Sequence, residues 1–196
     1  MSYVLVSLLG DAATAANDDF ARWFEESHPP SASFHAEHPS HDEVAAALRS
    51  TPCALVFGHD GGGSLRGSGT GAPWVDPQTF ARIFAGARVW VYACSTRSKE
   101  LDEDLVSFGR LARQGGVTVF AGHASPITAI PPFSSMPAMR GPVYQGLARG
   151  FRAFLQGENS AEALRHKVLA GAAIGRGVAL AALQIERDIQ ALRVLA

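Results

Sequence analysis

The chain has 196 residues, 47% hydrophobic and 18% charged, with a formal net charge of -1. That length suits one domain spanning residues 1–196. The charge offers no polyanion-binding surface, so nucleic acid is set aside as a partner. In chain order, Tyr3 to Leu9 predicts a first strand, because it is apolar and lacks the basic flank of a leader. A helix follows through Phe20, Trp23 and Phe24, an apolar stripe at i, i+3, i+4 that Pro29-Pro30 stops. Ser33 to His38 is a weaker strand candidate, and Ser40 with Glu43 forms a capping box for a helix facing inward through Val44, Ala47 and Leu48.

Next comes the stretch from Ala54 to Thr96. Ala54-Leu55-Val56-Phe57 and Val89-Trp90-Val91-Tyr92-Ala93 are short, β-branched and aromatic, as expected for strands buried on both faces of a parallel sheet. Between them Asp76 caps a crossover helix that has Pro77 at its first position. Strands joined this way are parallel and end at one edge, which is where open α/β sheets bind ligands. His59 and Cys94 follow the two strands directly. A thiol beside an imidazole can ionise, and the thiolate is a nucleophile. The glycines after His59 would leave backbone N–H groups to hold an oxyanion.

Leu101 to Gln114 predicts a helix with Leu105, Phe108 and Leu111 inward, ended by Gly115-Gly116. Val117 to Ala121 is the fifth strand, followed by an irregular stretch from Gly122 to Pro142. Val143 to Leu155 and Ser160 to Ala196 predict helices, the latter kinked or divided near Gly175 and Gly177. Val168 to Ile185 is apolar but carries Arg176, which favours a buried helix over a membrane span. The alternation of strands and helices predicts a three-layer α/β/α sandwich with a mainly parallel sheet.

Several weaker signals sit around this core. His35, His38 and His41 are each three apart, but a Pro and a change of element intervene, so no metal site is expected. The run Gly61 to Gly71 lacks the ending of a phosphate loop and suits a flexible substrate-side loop better. His123 suits a solvated loop. Cys53 and Cys94 lie at opposite ends of their strands, so reduced thiols in a cytoplasmic protein are expected.

At these residues the chain resembles the caspase-like cysteine peptidases, and within them the bacterial CHAT domains. Asp42 to Leu48 with Ala54 to His59 is similar to the helix and strand that carry the family's histidine. Val89 to Thr96 is similar to the strand with its Ala-Cys nucleophile, Gly115 to Ala121 to the next helix end and strand, and Ser160 to Arg165 to a late helix. The resemblance spans the chain from about Ser40 onward. It implies a caspase-like fold, His59 as general base or acid and Cys94 as nucleophile. It further implies an oxyanion hole from the backbone N–H groups of Cys94 and of Gly61 or its neighbour. Asp60 stands where the family commonly has Gly, adding a carboxylate beside the base.

Peptidases of this kind select the cleaved residue by the charge at the base of a pocket. Asp11, ending the first strand, and Asp60 would provide substrate-binding carboxylates and favour a basic residue, with Asp11 as the pocket base; the alternative is that Asp11 caps the following helix and Asp60 is solvated. The implied activity is cysteine endopeptidase cleavage of a protein or peptide substrate, without a cofactor, a membrane or nucleic acid. The alternative is a catalytically inactive module of the same fold that binds partner proteins as a scaffold. A nucleotide- or flavin-binding domain is a third option that lacks a phosphate motif.

Overall fold

The computed structural model describes residues 2–60, 63–93, 104–123, 137–172 and 186–196. The chain folds as an α/β sandwich of three layers. The strands are β1 (Val4–Leu8), β2 (Ala32–Ala36), β3 (Cys53–Asp60), β4 (Leu65–Arg66), β5 (Arg88–Ala93), β6 (Val119–His123) and β7 (Leu192–Leu195). The helices are α1 (Ala12–Ser27), α2 (His41–Leu48), α3 (Pro77–Ile83), α4 (Asp104–Gln114), α5 (Pro137–Leu155) and α6 (Ala161–Ala172).

The sheet runs β2-β1-β3-β5-β6-β7, with β4 hydrogen-bonded to the end of β3. All pairings from β2 to β6 are parallel, and β7 runs antiparallel to β6. The first, third and fourth of the predicted strands, here β1, β3 and β5, are therefore contiguous at the centre. Their residues explain why. Every residue of β1 and β3 is buried, and so is every residue of β5 after Arg88, because helices cover both faces.

Alternation along each strand divides the core in two. Leu5, Leu55, Phe57, Trp90 and Tyr92 point into a layer with Phe20 and Phe24 of α1, Phe151 and Phe154 of α5 and Leu164 of α6. Val4, Val6, Ala54, Val56, Val89 and Val91 point the other way, against Val44 of α2, Phe80 of α3 and Phe108 of α4. Phe151 is the hub of the first layer, in ring contact with Phe20, Phe24, Phe57, Trp90 and Tyr92.

Four local expectations need correction. Leu111 of α4 is 44% exposed, because Phe108 and Ala112 set the buried face of that helix. The fifth strand lies two residues later than expected and carries His123 as its last residue. Helix α5 starts at Pro137 and runs through Pro142, where the sequence suggested an irregular stretch. Finally, the C-terminal segment is not helical to its end: it is helical over 186–190 and then adds strand β7 to the sheet. No described helix is long and apolar enough to cross a membrane.

Candidate functional site

The strand order reverses between β1 and β3. After β1 the chain passes to α1 on one face, and after β3 it passes to α3 on the other. The two connections diverge at the carboxyl ends of those strands, the usual place for a ligand in such sheets. Asp11 and His59 stand there. His59 lies on the α1 side of β3, in step with Leu55 and Phe57, and its ring is fully buried. Its Nε2 is 2.9 Å from Oδ2 and 3.0 Å from Oδ1 of Asp11.

Asp11 is also the N-cap of α1. Its Oδ1 accepts the backbone N–H groups of Ala13 at 3.0 Å and Thr14 at 3.1 Å, while the Thr14 hydroxyl accepts the N–H of Asp11 in return. Its Oδ2 accepts the N–H of Gly69 at 3.0 Å. Burial pushes the Asp11 carboxyl up, but the bond from His59 and those from Thr14 and Gly69 outweigh it. The group is held well below the usual carboxylate range and stays ionised. An ionised carboxylate on one ring nitrogen fixes the orientation of an imidazole.

The glycine-rich loop has a physical reason other than flexibility. Thr14 Oγ1 donates to the Gly67 carbonyl at 2.7 Å, pinning the loop onto the β1–α1 turn. A Cβ at Gly67 would come within 2.2 Å of the Leu9 carbonyl oxygen, so only glycine permits this approach. The loop's far end is anchored on the opposite face by Leu65, Trp74 and Val75, with the Trp74 indole donating to the Pro39 carbonyl at 2.8 Å. Arg66 sits opposite His59 in the β3–β4 ladder, and its guanidinium bonds Ser64 and the Gly71 carbonyl. The loop is thus a strap over the turn that bears Asp11.

The other candidate residues fall in different places. Cys94 and Gly61, expected as nucleophile and oxyanion-hole donors, lie outside the described residues. The last described residue of β5, Ala93, pairs with Gly58, immediately before His59. Asp11 does reach the expected edge, but its carboxylate is taken up by His59, the helix cap and Gly69. Those bonds give it another task than the base of a substrate pocket. Asp60 ends β3 on the opposite side from His59 by strand alternation and is buried rather than solvated.

His123 is not on a solvated loop. It is buried at the end of β6, edge-on to the Tyr92 ring, and its Nδ1 bonds the Asp188 carbonyl at 3.0 Å. Burial pushes its pKa down to about 4, overcoming the Asp188 bond, and Arg165 and Arg193 add to the fall. Cys53 is buried, and burial pushes its thiol up against the weaker opposing pull of Arg88, so it is a poor nucleophile.

The early histidines diverge. His35 binds Asp18 and Glu25, His41 binds the Trp74 carbonyl, and His28 stacks on Phe24. Among the described residues no group of three or more His, Cys, Asp or Glu is placed to hold a metal ion. Thr14, Gly67 and Gly69 are the members of the site that sequence reasoning missed. The Asp11-x-x-Thr14 spacing is a capping-box signal that could have pointed to the first of them.

No protein-family model matches the chain, and no curated protein matches it significantly.

Proposed function

We propose that the chain is a cysteine peptidase, in keeping with its resemblance to the caspase-like and CHAT proteins, with His59 serving Cys94. The carboxylate-held imidazole of His59 at the carboxyl ends of β1 and β3 carries this reading. The strand register supports it. Gly58 pairs with Ala93, the last described residue of β5, and His59 and Cys94 are the next residues in the sequence. Phe57 and Tyr92, one pair earlier, share one core layer, the side to which alternation assigns His59.

In this mechanism the thiol gives its proton to His59 and the thiolate attacks the scissile carbonyl. The protonated ring then returns the proton to the leaving amine. A buried, neutral Cys53 fits a reducing compartment, and we place the protein in the cytoplasm on that ground. One observation favours the alternative of an inactive scaffold: the His59 ring is completely buried.

Iodoacetamide labelling mapped by mass spectrometry separates the two. Cys94 should be modified well before Cys53, and His59→Ala should slow its modification near neutral pH. Equal labelling of both cysteines, or identical rates in His59→Ala, would leave the scaffold as the better account. A fluorogenic panel with Arg, Lys, Asp or Leu at the cleaved position then tests turnover. With Asp11 committed to His59, no preference for Arg or Lys is expected to depend on Asp11 as a pocket base.

A further inference from the structure

We propose that Arg165 of α6 and Arg193 of β7 form a clamp for a phosphate-class oxyanion at the β7 edge of the sheet. The two guanidiniums converge on one atom. Nη2 of Arg165 and Nη1 of Arg193 both donate to the Leu192 carbonyl, the latter at 3.0 Å. Arg193 Nη1 also reaches the Gln190 carbonyl at 3.0 Å. Two cations that share one acceptor repel each other. Among the described residues neither forms an ion pair with a carboxylate. Glu162 acts on Arg165 from beyond ion-pair distance. Burial and then the Arg193 charge lower the Arg165 pKa, and the opposing pull of Glu162 is the smallest of the three.

The unused donors suit an anion. A guanidinium carries five N–H groups in a planar fork. Main-chain carbonyls engage only Nη2 of Arg165 and Nη1 of Arg193, and the buried Nε of Arg165 bonds nothing among the described residues. Arg193 is exposed and Arg165 half-buried, so the pair is open to a ligand from solvent. A single carboxylate offsets one of the two charges. A phosphate monoester carries about 1.5 to 2 negative charges at neutral pH and three acceptor oxygens, enough to engage both forks at once. Inorganic phosphate and a phosphomonoester share that chemistry.

Calorimetric titration of the full chain with inorganic phosphate, in chloride buffer at matched ionic strength, tests the clamp. Wild type should bind saturably, and Arg193→Gln and Arg165→Gln should each weaken binding by about tenfold or more. Arg187→Gln removes a nearby exposed arginine outside the clamp and should bind as wild type does. No saturable binding to wild type, or an equal loss in Arg187→Gln and Arg193→Gln, would overturn the proposal. Acetate binding as tightly as phosphate would overturn the phosphate class. Phenyl phosphate separates the two sources: tighter binding than inorganic phosphate marks a monoester as the ligand, and equal binding marks the free ion. Urea midpoints distinguish a clamp from a brace. Phosphate should raise the midpoint of wild type but not of Arg193→Gln. In chloride alone Arg193→Gln should not lower the midpoint, because it relieves the repulsion. An equal drop with and without phosphate would reduce the pair to a support for the Leu192 carbonyl.

Discussion

Helix α1 holds two histidines through carboxylates, and it holds them differently. Asp11, Asp18 and Glu25 are seven residues apart, two turns each, so they run along one side of the helix. Asp11 meets His59 at Nε2. His35 is bonded at both nitrogens: Nδ1 faces Asp18 and Nε2 is 2.9 Å from Glu25, with Arg22 on the far oxygen of Asp18 at 2.8 Å. A ring between two carboxylates must donate from both nitrogens and is locked as the imidazolium. Consistent with this, the bond to Asp18 raises the His35 pKa against the opposing effect of burial, with Glu25 adding to the rise. His123 completes the series. It has a main-chain carbonyl on Nδ1, no partner for Nε2 among the described residues, and a pKa driven down to about 4. Partners of the same ring set three behaviours: a locked cation, a candidate base and a buried neutral group.

The sharpest way to break this comparison is to exchange the losses. His59→Ala should cut turnover on a cleavable peptide by at least about a thousandfold, on the order of 4 kcal/mol of barrier. His35→Ala should leave turnover per folded molecule unchanged. If His35→Ala is equally inactive where circular dichroism shows it folded, the two histidines do not divide as argued.

The acid limb of stability tests His123. The folded protein binds its proton near pH 4 and the unfolded chain near 6.5, so the unfolded state gains protons first as pH falls. Stability should decline across that window by roughly 3 kcal/mol from this group alone. His123→Asn, which keeps an N–H for the Asp188 carbonyl, should flatten the decline in urea titrations. An unaltered slope would show that His123 binds its proton over the same pH range in the folded and unfolded states.

His35→Ala should then cost about 2–3 kcal/mol, measured as a lower urea midpoint. It removes the His35 bond from Glu25 and from Asp18, but Asp18 keeps Arg22, so the loss falls below that of a fully orphaned buried charge. A midpoint equal to wild type would show that the lock contributes nothing.

Much of the sheet was legible in the sequence because β1, β3 and β5 are continuous apolar runs, a pattern that burial on both faces imposes. Strand β7 was not legible. Leu192-Arg193-Val194-Leu195 is too short to show a period, and it is a strand because β6 offers it an edge. The phase of α4 was misjudged because Leu111 is apolar yet lies off the stripe that Phe108 and Ala112 define. His59 could be singled out from its place at a strand end. Its bond to Asp11 could not, because it joins residues 48 apart in sequence and exists only when β1 and β3 are neighbours. The strap was misread as mobile for a related reason. Glycine permits flexibility and close backbone contact alike, and only the position of Leu9 decides between them.

The smallest effect concerns the alkaline limb. The folded pKa of His35 lies above its unfolded value, so its contribution is complete below the unfolded value of about 6.5 and is lost as pH rises through the folded one. Asp18 acts at the other end. Burial pushes it up, but the bonds from His35 and Arg22 prevail and lower it, so its contribution is present above about 3.8 and is lost as pH falls through the lowered value. The pair therefore contributes most between those limits, in mildly acidic solution. Raising the pH into the alkaline range should lower stability as the ring gives up its second proton. Glu25→Gln keeps a hydrogen-bond acceptor but removes one charge, so its His35 should deprotonate at lower pH and the alkaline loss should begin earlier. Urea titrations across pH 6 to 9 on both proteins would show this as a displaced limb. Superimposable limbs would mean that the Glu25 charge does not hold the second proton, and that Asp18 alone locks the ring.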